Sequence, residues 1–256
     1  MGEVRSELED GVLTVTLADV ENRNALGAPV INGIHDAIER ANGDDAIRAV
    51  VLTNDGNTFC AGANLKQQSG AQQGERPKIG LDGLLVMIQQ SPTPVLGKIR
   101  GHVVGGGNGL AAALDIAIAQ DDVKFGFTEV RLGVAPAIIS VVCLPKMRPG
   151  EAMEAFLRGN RFTASKAAEY GLISRAVPEA ELDAAVDEVL ADLRLGGPTA
   201  LGHAKRLVYE VPVMDQAEAF KWTSELSAGL FKGEEAAAGM KAFLKREKPP
   251  WAADAE

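Results

Sequence analysis

The 256-residue sequence contains little cysteine and no long apolar run, and each absence argues against a class of protein. Its two cysteines, Cys60 and Cys143, are far apart and lack the spacing of metal ligands or of a disulfide framework. No apolar run approaches the roughly 20 residues that a membrane-spanning helix needs. We therefore expect no metal site and no membrane contact, and the sparse cysteines favour a reducing, cytoplasmic setting.

The sequence also lacks an excess of positive charge. Lys and Arg total 26 against 35 Asp and Glu, so the formal net charge is −9. A protein that binds nucleic acid through its phosphates needs a basic surface, so we expect no nucleic-acid partner. An anionic ligand would have to be held by local cations. The first residues are charged and contain no apolar segment, so we expect no secretory signal there.

Strand and helix patterns alternate through the first two thirds of the chain. Residues 4–17 predict a β-hairpin around the Asp10-Gly11 turn, and apolar residues recur at helical spacing from Pro29 to Ala41. The other predicted elements are strands over 49–53, 95–99, 115–119 and 124–127, a helix over 81–90, and a small-residue turn over 58–66. This alternation predicts an α/β fold.

The last third of the chain is dominated by helical patterns. Helices are predicted over 164–170, 179–193, 198–209, 215–231 and 234–245. Thr163 is a good N-cap, and Pro198 suits a first helical position. We predict a core domain over residues 1–195 and a C-terminal helical region over 196–256. A polar run over 67–78, rich in Gln and Gly, predicts a loop over a site.

Three consecutive glycines, Gly105 to Gly107, precede an alanine-rich segment that predicts a helix. Glycine lets backbone amides approach a ligand closely, and a helix N-terminus offers unpaired N–H groups and partial positive charge. Residues 60–64 share this design of small residues after a strand. One amide from each segment would form an oxyanion hole, although such glycines also permit simple tight packing of a helix against a strand.

Several motifs in order make the sequence resemble the crotonase, or enoyl-CoA hydratase/isomerase, superfamily. They are Asn22-Arg-Asn-Ala-Leu26, Phe59-Cys-Ala-Gly-Ala-Asn-Leu65, Gly101-His-Val-Val-Gly-Gly-Gly-Asn-Gly-Leu110, Asp115-Ile-Ala-Ile-Ala119, Phe125-Gly-Phe-Thr-Glu129, Leu132-Gly-Val-Ala-Pro136, Ala167-Ala-Glu-Tyr-Gly-Leu172 and Phe243-Leu-Lys-Arg-Glu-Lys-Pro-Pro-Trp251. The resemblance runs almost from end to end. It implies a spiral of ββα units whose C-terminal helices drive trimer formation, with trimers that often pair into hexamers.

The resemblance also implies an acyl-CoA thioester as substrate. The amides of Ala63 and Gly106 match the oxyanion-hole positions of the superfamily. They would polarise the thioester carbonyl and hold the enolate that forms, because fixed amide dipoles need no reorganisation as charge develops. The sequence contains no metal-ligand cluster and no dinucleotide fingerprint in a fitting context, so no cofactor is expected beyond the CoA of the substrate.

Hydratases of the superfamily typically use two glutamates, and this sequence retains one of them. Glu129 matches one position, and Gly109 stands at the other. Outside this motif, Glu129 would be taken for a surface or capping residue. Methylglutaconyl-CoA-type hydratases resemble the chain here, since they pair a glycine with a segment like Thr128-Glu-Val-Arg-Leu-Gly133. The loss of a carboxylate at Gly109 suggests room for a carboxylate or branch of the substrate.

These residues lead to hydration of a 2-enoyl-CoA, branched or linear, as the first expectation. One glutamate is sufficient in principle, because a base that takes a proton from water becomes an acid. A Δ3–Δ2 enoyl-CoA isomerase that uses Glu129 alone is the alternative enzyme. An acyl-CoA-binding protein of weak or no catalytic activity is the alternative of another class.

The remaining site prediction concerns CoA itself. The candidate residues are Asn22, Arg23, Asn24, Lys66, Phe243 and Lys248. By resemblance, the three cations would meet the phosphates of CoA, although each also fits a solvated surface charge. The backbone at the two asparagines would receive the adenine, and the aromatic residue would come from a C-terminal segment at a neighbouring active site.

Overall fold

The computed structural model describes residues 3–64 and 75–252. Its strands are β1 (Val4–Glu9), β2 (Val12–Leu17), β3 (Ala49–Asn54), β4 (Thr58–Cys60), β5 (Val95–Ile99), β6 (His102–Val104), β7 (Ile116–Gln120), β8 (Lys124–Gly126), β9 (Phe162–Thr163) and β10 (Arg175–Val177). Its α-helices are α1 (Ala28–Gly43), α2 (Leu81–Gln90), α3 (Gly106–Ala113), α4 (Ala137–Cys143), α5 (Pro149–Arg158), α6 (Ala164–Glu169), α7 (Leu182–Leu195), α8 (Pro198–Glu210), α9 (Gln216–Phe231) and α10 (Glu234–Lys245).

The predicted hairpin is confirmed and starts the larger sheet. Strands β1 and β2 pair antiparallel, with Val4 opposite Leu17 and Glu9 opposite Val12. The turn residues Asp10 and Gly11 have φ values of 47° and 74°, in the left-handed region that a tight hairpin requires. The six-stranded sheet then continues β2-β3-β5-β7-β10 with parallel pairing throughout.

The second sheet explains the spiral. Its order is β4-β6-β8-β9, so β3, β5 and β7 of the larger sheet are each followed by one strand of the smaller sheet. Helix α2 lies between the first two of these strand pairs and α3 between the second and third. The repeated unit is therefore strand, strand, helix, and the predicted α/β spiral of ββα units is confirmed.

One local prediction is wrong, because residues 58–66 do not begin as a turn. Thr58 to Cys60 form the strand β4, which pairs in parallel with β6. All three residues are buried, and Phe59 and Cys60 are 0% exposed. A buried backbone must satisfy its N–H and C=O groups, and strand pairing provides the partners. Strand β6, between the predicted strand 95–99 and the glycines, was not predicted either.

The larger sheet is packed on both faces, as its alternating side chains require. Leu13, Val15 and Leu17 of β2 join the main core. Val12 and Val51 point to the opposite face and pack against α7 through Val186. The main core fills the space between the sheet and the helices α1 to α4, and it is this core that fixes the glycine helix α3.

The C-terminal helices follow the predicted positions closely, and α10 matches its predicted bounds of 234–245. Helix α7 ends at Leu195 and α8 begins at Pro198, close to the proposed boundary at residue 195. The division into two domains itself stays a prediction. Helices α4 and α5 were not predicted from the sequence. In the described part of the chain, no helix combines the length and apolarity needed to cross a membrane.

Candidate active site

The glycine stretch places a helix N-terminus beside a second backbone segment. Gly105 is the N-cap of α3, with φ 55° and ψ −128°, and Gly106 is the first helical residue. A Cβ at Gly107 would lie 2.9 Å from the Cβ of Cys60, so only glycine permits this approach of α3 to β4. The backbone N–H of a first helical residue has no partner within its helix. Gly106 can therefore donate to a ligand.

Gly62 brings the second segment against the first. Its φ is +83°, and a Cβ there would lie 2.8 Å from the amide nitrogen of Gly106. The next residue, Ala63, forms a parallel bridge with Leu26, in which the Leu26 amide donates to the Gly62 carbonyl at 2.8 Å. In such a bridge the residues flanking Ala63 bond to Leu26, and the N–H of Ala63 points away from Leu26. The two predicted oxyanion-hole residues, Ala63 and Gly106, thus lie on adjoining segments.

Asn108 fastens this helix end to the strand that leads to Glu129. Its side chain is 0% exposed, and its Nδ2 donates to the carbonyls of Gly105 at 3.0 Å and Gly126 at 2.9 Å. The amide of Gly105 donates to the same Gly126 carbonyl at 3.0 Å. The start of α3 and the end of β8 are therefore held together by a buried amide, which sequence analysis did not single out.

Glu129 is the carboxylate that the structure brings to the start of α3. It begins a short 3-10 helix, Glu129–Leu132, which Gly133 ends with φ +77°. Its Oε1 lies 3.5 Å from the position of a Cβ at Gly105. Its Oε2 is buried and has no hydrogen-bond partner among the described residues. Burial raises the pKa of Glu129 above its ordinary value, since the ionised form loses solvation.

The predicted free space at Gly109 is not present. A Cβ at Gly109 would lie 2.7 Å from the Cβ of Ile139 and still closer to its Cγ2. Ile139, on α4, is 3% exposed, so its side chain is packed into this position. The volume that a side chain at Gly109 would need is therefore filled by the protein. The expectation of room for a substrate carboxylate beside Gly109 was wrong, because helix packing closes the gap.

A cavity of about 580 Å³ opens beside this segment. Ala63 lines it, together with Asn22, Arg23, His102 and Arg161. The Arg23 and Arg161 side chains are available to an anion at its rim, because both residues are exposed. The Nδ1 of His102 accepts from the amide of Lys124 at 3.0 Å, so the imidazole holds a strand in place. The cavity is lined mostly by polar residues and carries two arginines against one carboxylate, that of Glu21, so it suits a polar anionic ligand.

The two predicted asparagines have different places in this loop. Asn22 is exposed and donates through Nδ2 to Asp19 at 3.0 Å, so its turn is fixed at the cavity edge. Asn24 points inward, is 0% exposed and donates to the Thr58 carbonyl at 2.7 Å. Its φ of 51° is in the left-handed region that asparagine tolerates. Its side chain anchors the loop to β4, and the role of its backbone toward adenine stays a prediction.

Two of the other predicted CoA residues, Phe243 and Lys248, do not line this cavity. Phe243 is 83% exposed on α10. Lys66 lies outside the described residues, as does most of the predicted loop over 67–78. Arg161, which sequence analysis missed, does line the cavity. Its position before β9 gave no sequence signal, because only the pairing of β9 with β8 brings it near β6.

Away from this site, one cluster offers the side chains of a metal site. His35, Asp36 and Glu39 lie together on α1, with potential ligand atoms within 4.8 Å of one another. The Lys78 ammonium already lies 2.6 Å from Asp36 Oδ1 and neutralises part of the cluster. None of these three residues lines the cavity or belongs to helix α3.

Comparison with known proteins identifies the family. The sequence profile of the enoyl-CoA hydratase/isomerase family matches residues 7–254. The chain belongs to this family. The spiral of ββα units is its crotonase fold, and the recognition made from the motifs is confirmed.

Individual relatives and solved structures agree with this family assignment. Enoyl-CoA hydratase EchA19 of Mycobacterium tuberculosis is 29% identical over 243 residues, 93% of this chain and 91% of the relative. The structure of Pseudomonas aeruginosa AtuE aligns with a TM-score of 0.90 at 28% identity, over 98% of this chain and 99% of AtuE. An enoyl-CoA hydratase/isomerase from Marinobacter aquaeolei aligns with a TM-score of 0.89 at 28% identity, over 98% and 99% of the two chains. The chain is therefore an enzyme of the hydratase/isomerase kind.

Proposed function

We propose that the protein hydrates a 2-enoyl-CoA to the 3-hydroxyacyl-CoA. The observation that carries this proposal is the position of Glu129, whose carboxylate lies against the N-cap glycine of α3. A thioester oxygen held by the amides of Gly106 and Ala63 would place the reacting carbons of the acyl group next to that carboxylate. Sequence relatives named as enoyl-CoA hydratases support the same reaction class.

In this mechanism Glu129 performs both proton transfers. Its carboxylate accepts a proton from water while the water oxygen bonds to C3. The C2–C3 double-bond electrons then move to the thioester, forming an enolate whose oxygen accepts hydrogen bonds from Ala63 and Gly106. Protonated Glu129 finally returns the proton to C2, and the enolate collapses to the thioester. Water is consumed, and the carboxylate is regenerated.

The environment of Glu129 suits this double role. A carboxylate in water is a weak base, and desolvation makes it a stronger one by raising its pKa. The unpartnered Oε2 of Glu129 has no competing donor among the described residues. No hydrogen bond to a described residue therefore has to break before this oxygen takes up a proton.

The isomerase alternative uses the same groups without water. Glu129 would take a proton from C2 of a 3-enoyl-CoA, forming a dienolate held by the same two amides, and deliver that proton to C4. The single carboxylate favours this candidate, because no second acid is present at Gly109. Incubation with crotonyl-CoA, 3-methylglutaconyl-CoA and 3-hexenoyl-CoA separates the two. Turnover of 3-hexenoyl-CoA alone would replace hydration by isomerisation.

The binding-protein alternative is tested by substitution of Glu129. We expect Glu129→Gln to lower kcat for hydration by about 10²- to 10⁴-fold while the dissociation constant for butyryl-CoA stays within about twofold. Glu169→Gln is the matched control, since Glu169 is exposed and its ion pair among the described residues is with Lys166 at 3.0 Å. Tight CoA binding without turnover of any acyl-CoA would support the binding protein instead.

The proposal includes the wider setting of the site. CoA binds along the cavity at Arg23 and Arg161, with Lys66 as a further cation and no metal or redox cofactor. The assembly is a homotrimer or a dimer of trimers in the cytoplasm, and Phe243 reaches a neighbouring active site. Supporting this, large apolar side chains are exposed on the C-terminal helices, namely Val208, Phe220, Phe231, Phe243 and Leu244. Such residues are usually covered by a partner.

A further inference from the structure

Two glycines one helical turn apart define a wall of the proposed acyl site. The Cβ direction of Gly105 points at Glu129 Oε1, at 3.5 Å. A Cβ at Gly109 would point at Ile139 and would lie 2.7 Å from the Ile139 Cβ. Gly105 is the N-cap of α3, and Gly109 is its fourth residue. Glu129 and Ile139 therefore both lie against the first turn of the same helix.

Helix α4 supports the same placement from the other side. Cys143 lies one turn beyond Ile139. Burial chiefly, and then the charge of Glu129, raises the pKa of its thiol, while Lys146 opposes the shift. Ile139 and Cys143 are 3% and 0% exposed. The face of α4 that carries both side chains is thus turned into the core and away from solvent.

Neither Ile139 nor Glu129 gives this wall a group that could pair with an anion. Ile139 takes the place into which a side chain at Gly109 would project, and Oε2 of Glu129 has no donor among the described residues. A carboxylate on the acyl group of the substrate would meet both an apolar surface and the negative charge of Glu129. Burial of an unpaired carboxylate is strongly unfavourable. An alkyl group at the same place would gain contacts instead.

We propose that Ile139 determines acyl specificity by making this wall apolar, so that the site selects acyl groups with an alkyl carbon beyond C3 over acyl groups with a carboxylate there. The inference rests on the proposed function, because it assumes that acyl-CoA occupies the site beside Glu129. Ile139 acts through contact with the acyl chain and takes no proton.

Binding of two saturated thioesters tests the wall without any turnover. Butyryl-CoA and succinyl-CoA share the CoA and a four-carbon acyl group, but the fourth carbon is a methyl in one and a carboxylate in the other. Calorimetry on the full-length protein should give a dissociation constant at least about tenfold lower for butyryl-CoA. Equal affinities, or tighter binding of succinyl-CoA, would overturn the inference.

An isosteric pair of variants assigns the preference to Ile139. Ile139→Val and Ile139→Thr have the same shape, but only threonine brings a hydroxyl donor to the wall. We compare the ratio of the dissociation constants of succinyl-CoA and butyryl-CoA. Ile139→Val should keep this ratio within about twofold of wild type, and Ile139→Thr should lower it by about tenfold, because the hydroxyl can pair with the carboxylate. Ile118→Ala, a buried isoleucine of the second cluster, is the control for general destabilisation. An identical preference in the Val and Thr variants would refute the role of Ile139.

A stability cycle tests the packing independently of ligand. Gly109→Ala should lower the Tm, and Ile139→Ala in the same chain should recover part of that loss, because the added methyl and the removed side chain share one volume. Gly150→Ala is the control, since a Cβ at Gly150 meets nothing within 4 Å. If the Tm changes of the two single variants simply add in the double variant, the Gly109 methyl and the Ile139 side chain do not share one volume, and the inference is refuted.

The two hypotheses fail in different ways. Preferential binding of butyryl-CoA without hydration of crotonyl-CoA would refute hydration and leave the wall in place. Hydration with equal affinity for the two thioesters would refute the wall alone. A protein that binds no acyl-CoA would refute both.

Discussion

The amide of Gly106 is accessible only because residue 62 has no side chain. A Cβ at Gly62 would lie 2.8 Å from the Gly106 nitrogen and 2.8 Å from the Val104 carbonyl oxygen. Gly62 also has φ +83°, which other residues adopt only at a cost. The close contact of these two glycines is what brings the Ala63 and Gly106 amides to one site.

Gly62→Ala should therefore damage the oxyanion hole. The added methyl must displace the Gly106 amide, and we expect kcat for crotonyl-CoA hydration to fall by about 10²- to 10³-fold. Gly43→Ala is the control, because a Cβ at Gly43 meets nothing within 4 Å. Steady-state kinetics and circular dichroism would be measured together. A folded Gly62→Ala variant with wild-type kcat would refute the proposed position of the hole.

Glu129→Gln should change the Tm in a pH-dependent manner. Burial raises the folded-state pKa of Glu129 above 4.5. Its contribution to stability is thus fully present below pH 4.5 and is lost as the pH rises through the folded pKa. Glutamine carries no charge to desolvate, so the Tm of the variant relative to wild type should rise across that window and stay higher at pH 7.

Thermal unfolding from pH 3 to pH 8 would measure this difference. Glu151→Gln provides a control of opposite sign, because its own backbone N–H and Arg148 hold the Glu151 pKa below the ordinary value. The Glu151 contribution is present above pH 4.5 and is lost in acid, so that variant should lose relative stability as the pH rises. A Tm difference for Glu129→Gln that is independent of pH would contradict the desolvation of this carboxylate.

Arg161→Gln should weaken binding of CoA thioesters. The exposed Arg161 and Arg23 line one cavity, so each removed cation takes away a partner for a phosphate. We expect the dissociation constant for butyryl-CoA to rise by about three- to tenfold at low salt, and less at 0.5 M salt because exposed charges are screened. Arg175→Gln is the control, since Arg175 is a partly buried arginine of β10 that pairs with Glu188 at 3.2 Å. Equal weakening by both variants would indicate a general charge effect.

Lys205 and Asp115 form a largely buried pair that ties α8 to the core. Their Nζ and Oδ2 atoms are 2.8 Å apart, with side chains 7% and 15% exposed. Burial raises the pKa of Asp115 and lowers that of Lys205, and their mutual attraction opposes both shifts. Lys205→Met leaves a buried carboxylate without its ion-pair partner. We expect it to reduce the free energy of unfolding by about 3–5 kcal/mol.

Urea unfolding would measure this loss. Adding Asp115→Asn to Lys205→Met should recover part of it, because the unpaired charge is then removed. Lys166→Met is the control, since the Lys166–Glu169 pair is exposed and its removal should leave stability nearly unchanged. A Lys205→Met variant as stable as this control would show that the pair does not anchor α8.

The sequence was informative wherever a pattern is local. The hairpin at Asp10-Gly11 and the cap at Thr163 depend on turn and capping chemistry within a few residues, and both are observed, with Thr163 accepting from the Lys166 amide at 3.2 Å. Strand β4 was not predicted, because three residues are too few to show a hydrophobic period and because they pair with a segment more than 40 positions away. Arg161 escaped for the same reason.

The sequence by itself determined the family, the spiral of ββα units and the identity of the surviving carboxylate, because motif order, hydrophobic period and residue type are properties of the chain. Only the tertiary structure decided what lies beside that carboxylate. Gly109 in the sequence indicates an empty position, whereas in the fold Ile139, thirty residues further along, fills it. The physical reason is that helices α3 and α4 pack closely and leave no void. Which side chain fills the space beside Gly109 depends on which later segment the fold packs against α3.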